Sequence, residues 1–398
     1  MPLSAGAATA AITPRENLRL AGYSRTDNLL LMPFRHRVAQ GVHDDIFARC
    51  LALDDGQTLL AMVALDLLGL FHDDIEAIRR EARRKVGRDI EVLVASVHNH
   101  SAPDTYGAYG GVPDSYKRLI HDQASSAVTT AVKELRPARL GLVSADLGAF
   151  VRNHRKPEGP VDGEASVMTV EAASGGVIAT LVNFAAHADI LGKRNFQVTA
   201  DFPGYVCRAL EEARGGTALF FNGALGDAYP IQTIEDPNDE KGLRTYEQAE
   251  STGRAMAAEV AKALSGASYV SDPHILIRKA DIDLPVSNWI LHVMRLMRIF
   301  KRKLHAGKVR TESWLVEIDG AQILTLPGQA FCQIGLELKA ALPGPHKFIF
   351  GLANDELAYI MPPEEWDPSR RSEEEVATLG KGTWPALRAA LPLPPRRD

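Results

Sequence analysis

Residues 92–103 read VLVASVHNHSAP, an apolar run that ends in a His-x-His pair. The β-branched and aliphatic residues at 92–97 predict a buried strand. Because side chains two apart on an extended chain point to the same face, His98 and His100 are expected to face one cleft. Two imidazoles displayed together are typical of a zinc site or an acid/base pair, since a protein core rarely buries them without partners.

A second stretch repeats this pattern. Residues 177–187 read VIATLVNFAAH, so another apolar strand is predicted with a histidine, His187, at its end. One histidine in such a place is more often structural than functional. Two strands that each end in histidine favour a shared site, and His187 is predicted to join His98 there.

Composition excludes several classes of protein. The 398 residues are 45% hydrophobic and 24% charged, with a formal net charge of -5, which gives no basic surface for nucleic acid. Three cysteines without a C-x-x-C spacing exclude a disulfide framework and a thiolate metal cage. No apolar run reaches the ~18 residues of a membrane span, and the N-terminus lacks the pattern of a signal peptide. These features predict a cytoplasmic protein without an integral membrane segment.

Strand and helix signals alternate along the chain. Residues 48–53 and 58–65 predict a hairpin, and helices are expected from Asp73 and from Asp114. The pattern predicts an α/β fold with mixed sheets in a single domain over 1–398, with a smaller C-terminal lobe from about residue 271. Residues 289–304 predict a basic amphipathic helix, for which packing on the core is favoured over a lid or a membrane-surface role.

Ordered sequence motifs then lead to a family. Besides the His98 and His187 boxes, the chain carries a series of short motifs in a fixed order: Ala21-Gly22-Tyr23, Gly41-Val42-His43-Asp44-Asp45, Ala200-Asp201-Phe202-Pro203-Gly204, Phe221-Asn222-Gly223-Ala224, Pro327-Gly328-Gln329 and Gly351-Leu352-Ala353-Asn354. This series resembles the catalytic region of the neutral/alkaline ceramidase family over most of the chain. The resemblance implies that family's catalytic fold, here without its C-terminal immunoglobulin-like domain.

The resemblance also implies a chemistry. Members of the family are zinc-dependent hydrolases that cleave an N-acyl amide. Their metal ligands correspond here to His98, His187, Gln329 and Tyr359, with one zinc ion per chain, while His100 corresponds to a residue that faces the substrate.

Two positions depart from the family pattern. Gln329 stands where the family has a glutamate, and a neutral amide oxygen is a poorer zinc ligand than a carboxylate. Three outcomes are open: the metal is held more weakly, a nearby acid such as Asp355 or Glu356 substitutes, or the protein is a degraded enzyme. Tyr229 stands where ceramidases have a serine that contacts the scissile group. The substrate is therefore expected to differ from classical ceramide.

Roles follow for the remaining candidates. His100 is expected to act as the general acid, and Tyr359 to bind the metal or donate to the developing oxyanion. The glycine-rich loop with Asn222, Gly223 and Asp227 is a candidate oxyanion hole, for which a plain tight turn is an equal alternative. Substrate-binding positions are completed by Tyr229 and Arg152, although a solvated surface loop is the favoured explanation for Arg152. Asp66, with Asp201 as the second choice, is expected to orient the metal-binding histidines, and a helix cap is an equal alternative for both.

The leading hypothesis is a zinc-dependent amidase acting on a small N-acyl substrate. One enzymatic alternative is a metalloesterase acting on an ester. The other alternative, which Gln329 favours, is a binding protein that has lost catalysis. The oligomeric state is left open.

Overall fold

A computed structural model of the protein describes residues 2–24, 36–270, 272–296, 302–367, 369–370 and 372–394. The helices are α1 (His72–Val86), α2 (Asp114–Lys133), α3 (Asp201–Arg214), α4 (Ile231–Glu235), α5 (Tyr246–Ala263), α6 (Trp289–Leu296), α7 (Cys332–Ala341), α8 (Glu373–Val376) and α9 (Thr383–Ala390). The strands are β1 (Ser4–Ala11), β2 (Arg19–Ser24), β3 (His36–Val38), β4 (Gly41–Val42), β5 (Phe47–Asp54), β6 (Leu59–Leu65), β7 (Glu91–Ser96), β8 (Arg136–Asp146), β9 (Val151–Asn153), β10 (Glu164–Ala172), β11 (Val177–Phe184), β12 (Gln197–Val198), β13 (Thr217–Asn222), β14 (Ala228–Pro230), β15 (Ser268–Val270), β16 (Ile275–Pro285), β17 (Lys308–Ile318), β18 (Ala321–Thr325), β19 (Gln329–Ala330), β20 (His346–Phe350) and β21 (Tyr359–Ile360).

The largest sheet has the strand order β13-β11-β10-β8-β1-β5-β6-β7, with β15 beside β8. Only Ser4 and Ala5 pair β1 with β8, so the sheet divides there into two halves. Side chains from both halves, such as Met62 and Leu181, share one inner core. The halves therefore pack face to face, as the apolar runs of β6 and β11 require, because strands buried on both faces carry few polar residues.

Helices cover the two outer faces of these half-sheets. Alternate residues of β5, β6 and β7 pack against α1 and α2, while those of β11 and β13 pack against α3 and α5. The result is a four-layer arrangement of helices, sheet, sheet and helices. The expected mixed α/β class is confirmed, and so are the hairpin of β5 with β6 and the helices α1 and α2.

The C-terminal third forms a separate sheet with the order β16-β17-β18-β20. Its Trp314, Val316 and Phe348 belong to the same inner core as the half-sheets, so this segment packs on them through a continuous apolar interface. The lobe expected from about residue 271 coincides with this sheet. Its status as a lobe of one domain stays a prediction.

The amphipathic helix expected over 289–304 is shorter in the structure. Helix α6 ends at Leu296, residues 297–301 lie outside the described residues, and 302–304 are not helical. Leu291 is buried, whereas Trp289 and Leu296 are 68% and 84% exposed. Packing on the core therefore accounts for one face of α6 and leaves the other open. None of the described helices combines the length and the apolar character needed to cross a bilayer.

Candidate active site

Three histidines meet where β7 and β11 end. The potential ligand atoms of His98, His100 and His187 all lie within 4.8 Å of one another, and all three side chains are buried. Ring centroids are 4.8 Å apart for His98 and His100 and 4.9 Å apart for His98 and His187. The loop after β7 and the loop after β11 are joined by a hydrogen bond from the His100 amide to the Ala188 carbonyl oxygen (3.1 Å). The expected convergence of the two strand-end boxes is thus present.

The reason for this convergence differs from the one expected. Strand β7 ends at Ser96, and His98 has a φ of 63°, in the left-handed region. The alternation of an extended chain therefore does not continue to His100. A sharp turn aims both rings at the same point instead. Non-glycine residues in this conformation cost about 1–3 kcal/mol and cluster at functional sites.

His98 and His187 are oriented by backbone carbonyl groups. His98 Nδ1 lies 3.0 Å from the Leu68 carbonyl oxygen, and His187 Nδ1 lies 3.1 Å from that of Ala228. Because a carbonyl oxygen only accepts, each Nδ1 carries the hydrogen and each Nε2 keeps its lone pair. His187 Nε2 is buried without a partner among the described residues. Metal-binding histidines are held in this way.

The carboxylates expected to orient these rings, Asp66 and Asp201, accept hydrogen bonds from backbone amides instead, so that expectation is wrong. Asp66 accepts a bond from the Phe47 amide (2.8 Å) at the start of β5. Asp201 accepts bonds from the Ile190 and Leu191 amides and holds the loop that follows His187. A backbone carbonyl can replace a carboxylate in this role. Because every residue has a carbonyl group, the sequence does not show which one orients a histidine.

Burial sets the protonation of the three rings. It lowers the pKa of His98 to about 4, and it lowers the pKa of His100 and His187 well below the usual value, with repulsion from His98 as the next cause. All three imidazoles are therefore neutral near pH 7. Neutral imidazole is the form that binds a metal.

His100 differs from the other two histidines. Neither of its ring nitrogens has a hydrogen-bond partner among the described residues. Its Nδ1 lies 3.9 Å from Asp189 Oδ1, which likewise has no hydrogen-bond partner in the part of the chain that the structure describes. The other oxygen of Asp189 accepts bonds from the Tyr23 hydroxyl and from Arg244 Nη2 (2.9 Å). Asp189 is thus held in place with one oxygen turned toward His100.

Gly22 provides the space that His100 occupies. Its φ is 84°, and a Cβ atom there would lie 2.5 Å from His100 Cγ. An alanine at this position would overlap the ring. The Ala21-Gly22-Tyr23 motif therefore serves the site from both sides, because Gly22 admits the imidazole and Tyr23 bonds to Asp189.

Gln329 and Tyr359 reach the site from the C-terminal third of the chain. They are paired residues of the short parallel strands β19 and β21, and both line the cavity that His98 and His100 line. Gln329 Oε1 is buried without a partner among the described residues. Burial raises the pKa of the Tyr359 phenol well above its usual value. Of the four residues expected to bind the metal, His98, Gln329 and Tyr359 thus line one cavity, and His187 joins His98 in the histidine cluster.

Of the two acids expected to compensate for Gln329, Glu356 faces the cavity. Its Oε1 accepts bonds from the Ala358 amide (2.7 Å) and from Gln329 Nε2 (3.4 Å), and its Oε2 is buried without a described partner. Burial raises the pKa of this carboxyl well above its usual value. Asp355 instead forms a bidentate ion pair with Arg302, so its charge is already neutralised.

The cavity in front of these residues has a volume of about 120 Å³, enough for several water molecules. Polar groups are concentrated at His98, His100, Gln329, Glu356 and Tyr359. Much of the remaining wall is apolar and consists of Leu68, Phe71, Leu291, Met294, Leu357 and Leu379. Such a cavity accommodates a mostly apolar ligand with one polar, reactive group.

The expected oxyanion loop has its polar groups engaged within the protein. The Asn222 side chain bonds to the Val97 and Ala186 carbonyls (2.8 and 2.7 Å), and the Gly223 amide bonds to Phe184 (3.0 Å). These contacts tie the ends of the two half-sheets together. The Asn222 side chain and the Gly223 amide are thus already engaged, and neither residue lines the cavity.

The other expected substrate-binding residues are dispersed. Asp227 accepts bonds from Asn153 Nδ2 and the Cys332 amide, both at 2.7 Å. Arg152 is exposed and bonds to nearby carbonyl oxygens. Tyr229 stacks on His187 with ring centroids 3.9 Å apart. Of these three residues, Tyr229 alone touches the histidine cluster.

Sequence reasoning missed Asp189 and Glu373 as parts of the site. Asp189 lies two residues after His187, and that spacing was a usable signal for a neighbour of the histidines. Glu373 lines the cavity from α8. It belongs to an acidic run, and nothing in the run distinguishes it from Glu374 and Glu375.

Comparison with known proteins defines the fold. No protein-family model matches the sequence, and no curated protein matches it. The crystal structure of neutral ceramidase from Pseudomonas aeruginosa is similar, with a TM-score of 0.78 and 18% identity over 98% of this chain and 73% of that chain. A ceramidase complexed with C2 gives 0.77 and 18% over 100% and 77%.

The chain therefore has the neutral ceramidase fold, which confirms the fold expected from the ordered motifs. A TM-score of 0.78 at 18% identity shows that the two proteins share an architecture. Shared architecture does not carry an activity with it. The chemistry has to be argued from the residues of the site.

Proposed function

We propose that this protein is a zinc-dependent hydrolase that cleaves the amide bond of a small N-acyl substrate. The observation that carries the proposal is the pair His98 and His187. In each ring a backbone carbonyl binds Nδ1–H, so that Nε2 is left for a metal inside a buried cluster. The similarity to ceramidases supports an amide as the scissile bond.

The donor set proposed for a single zinc ion starts from the group of His98, His100 and His187, whose ligand atoms lie within 4.8 Å of one another. His98, His187 and Tyr359 would supply three ligands, and the fourth would be an oxygen of Glu356 or Gln329. Each of these two residues buries an oxygen without a described partner, and an unsatisfied buried oxygen costs about 1–3 kcal/mol. We favour Glu356, because a carboxylate binds zinc more strongly than an amide. When bound, zinc activates water and polarises a carbonyl group.

His100 is proposed to move the proton. It lines the cavity, and Asp189 lies behind its Nδ1. With Nδ1 protonated and facing Asp189, Nε2 is the atom that accepts a proton and then returns it to the leaving amine. Because an amide leaving group is poor, this proton delivery matters more for an amide than for an ester.

The substrate is proposed to be different from classical ceramide. Tyr229, which occupies the position of the family's serine, packs flat on His187, so a bulky ring replaces a small hydroxyl beside the metal site. Substrate contacts by Asn222, Gly223, Asp227 and Arg152 stay predictions, as does the cytoplasmic location.

The first test is metal content. Purified wild type, His98→Ala and His187→Ala are analysed by inductively coupled plasma mass spectrometry, with His274→Ala as the control because His274 is exposed and does not belong to the cluster. We expect one zinc per chain in wild type and in the control, and loss of zinc in both cluster variants. Absence of zinc from wild type, even after zinc is added, contradicts the proposal and favours a binding protein.

The second test separates amide from ester hydrolysis. Zinc-loaded protein is assayed against matched N-acyl anilides and aryl esters with the same acyl chain. Turnover of both, with His100→Gln losing the anilide activity more than the ester activity, supports the amidase. Turnover of esters alone identifies a metalloesterase.

A further inference from the structure

Arg37 is a fully buried cation that contacts several segments of the candidate active site. It lies on β3 and has an exposed fraction of 0%. Its Nη2 donates to the carbonyl oxygens of His100 (2.6 Å) and Ala21. Its Nη1 donates to those of Asn195 (2.8 Å) and Gly192 (3.2 Å). No carboxylate is among these described hydrogen-bond partners, although burial of a charge without an opposite charge is costly.

The four carbonyl groups belong to three separate segments around the His100 ring. Ala21 is on β2, directly before Gly22, whose missing side chain makes room for that ring. His100 itself is in the loop after β7. The other two acceptors are in the loop after β11, which also carries Asp189. One guanidinium thus connects the main chain of His100, the strand that makes room for its ring, and the loop of its acidic neighbour.

The Tyr23 side chain extends this network to Asp189. The guanidinium carbon of Arg37 lies 5.2 Å from the centre of the Tyr23 ring, and that of Arg244 lies 5.9 Å from it. Cations are attracted to an aromatic ring at such distances. The Tyr23 hydroxyl donates to Asp189 Oδ2, and the ring meets His100 edge-on, with centroids 5.4 Å apart. Two cations therefore hold the ring that contacts both His100 and Asp189.

The shape of a guanidinium suits this arrangement. It presents five N–H donors in one fixed plane, whereas a lysine has three donors on a single nitrogen at the end of a flexible chain. The two terminal nitrogens of Arg37 each serve two carbonyl groups, so the three segments are held at fixed distances from one another. The positive charge also strengthens each of these hydrogen bonds.

We propose that Arg37 is a positioning residue, which keeps the His100 ring and Asp189 in place for proton transfer. Arg37 is not among the residues that line the cavity, so it acts through these two neighbours. Without the guanidinium the three segments can shift, and the distance of 3.9 Å between His100 Nδ1 and Asp189 Oδ1 changes. His98 and His187 are affected less, because other carbonyl groups orient their rings. The part of His100 in hydrolysis rests on the function proposed above.

Two variants and a matched control test this role. Arg37→Met removes the charge and the donors, and Arg37→Lys keeps the charge but loses the planar fork. Arg79→Met is the control, because Arg79 is also buried (2% exposed) and bonds to the Val92 carbonyl (2.8 Å) and to Glu312 (2.6 Å), but does not line the cavity. The measurements are nitrogen-15 shifts of the His100 ring without substrate, zinc content, the free energy of unfolding, and kcat and KM for an N-acyl anilide.

We expect Arg37→Met to change the ring shifts of His100 and to lower kcat about 100-fold, the effect of a displacement of about 1 Å at a catalytic group. KM and zinc content should stay close to those of wild type. Arg37→Lys should give a smaller effect in the same direction. Arg79→Met should lower the free energy of unfolding, because Glu312 loses its cation, while kcat and the His100 shifts stay unchanged.

Unchanged His100 shifts in folded Arg37→Met overturn the proposal. Equal changes in Arg79→Met also overturn it, since the effect would then follow from lost stability. If Arg37→Met does not fold, Arg37→Lys decides, because wild-type shifts and kcat in that variant would show that the fork is not needed. The ring shifts are recorded without substrate, so a protein that hydrolyses no amide still tests the position of His100, and the two proposals fail separately.

Discussion

The two walls of the cavity differ in how their polar atoms are held. On the wall from the N-terminal half, His98 donates Nδ1–H to a carbonyl oxygen, and so does His187, its neighbour in the histidine cluster, so the orientation of both rings is set. On the wall from the C-terminal third, Gln329 Oε1 and Glu356 Oε2 are buried without a described partner. Both walls thus hold buried polar atoms that have no partner among the described residues, nitrogens on the first and oxygens on the second. They differ because backbone carbonyls fix two rings on the first side, whereas Gln329 and Glu356 on the second bond to each other (3.4 Å).

The largest effect is expected at the proposed metal site. Glu356→Gln is predicted to lower zinc affinity about 100-fold, since loss of a ligand costs at least as much as loss of an outer partner, which is worth about 10–100-fold. Gln329→Glu is predicted to preserve or raise it. Affinity is measured by competition with a chelator, with Glu364→Gln as the control. Unchanged affinity in Glu356→Gln would assign the fourth ligand to Gln329.

The next effect tests whether the position of the His100 ring matters for catalysis. Gly22→Ala places a Cβ atom 2.5 Å from His100 Cγ and is predicted to lower kcat/KM about 100-fold, because a displacement of about 1 Å at a catalytic group has this effect. Gly175→Ala is the matched control, since Gly175 also has a positive φ but has no atom within 4 Å of the added carbon. Equal activity of the two variants would show that His100 does not act in the reaction.

A smaller effect is expected from the support of His100. Asp189→Asn replaces the oxygen that faces His100 Nδ1 and is predicted to reduce kcat about tenfold while the zinc content stays the same. The matched control is Asp239→Asn, because Asp239 also contacts Arg244 but not His100. Nitrogen-15 shifts of the His100 ring should report a changed tautomer in Asp189→Asn alone. Loss of zinc in that variant would make Asp189 a part of the metal site.

The smallest effect on activity is expected from Asp66, which was expected to orient the histidines. Burial raises its pKa from 3.8 to about 6, so the folded state binds more protons than the unfolded state between these pH values. Its contribution to stability therefore falls as pH rises through that range, by up to about 3 kcal/mol.

Asp66→Asn removes this titration while an amide oxygen can still accept from Phe47. The unfolding free energy of the variant minus that of wild type is predicted to increase between pH 4 and pH 6, as measured by denaturant titration, while zinc content does not change. A loss of zinc in Asp66→Asn would restore Asp66 as a partner of the histidines.

Local patterns predicted much of the fold. Apolar runs identified β6, β7 and β11, and turn and cap residues located the hairpin of β5 with β6 and the helix α1. The same reasoning overestimated α6, because amphipathic periodicity reports which face is apolar and contains little information about where a helix ends. The two histidine boxes were found because strand ends are visible as a change from apolar to polar residues.

The sequence by itself determined the mixed α/β fold and the histidines that meet, and the family resemblance predicted that Gln329 stands in place of a carboxylate. Only the tertiary structure decided that carbonyls of Leu68 and Ala228 orient the rings, that Glu356 rather than Asp355 faces the cavity, and that Glu373 belongs to its wall. The physical reason is that periodicity and capping are local interactions between residues a few positions apart. Partner choice at the site depends on contacts such as Ala353 with Ala95, which form only when distant segments pack together.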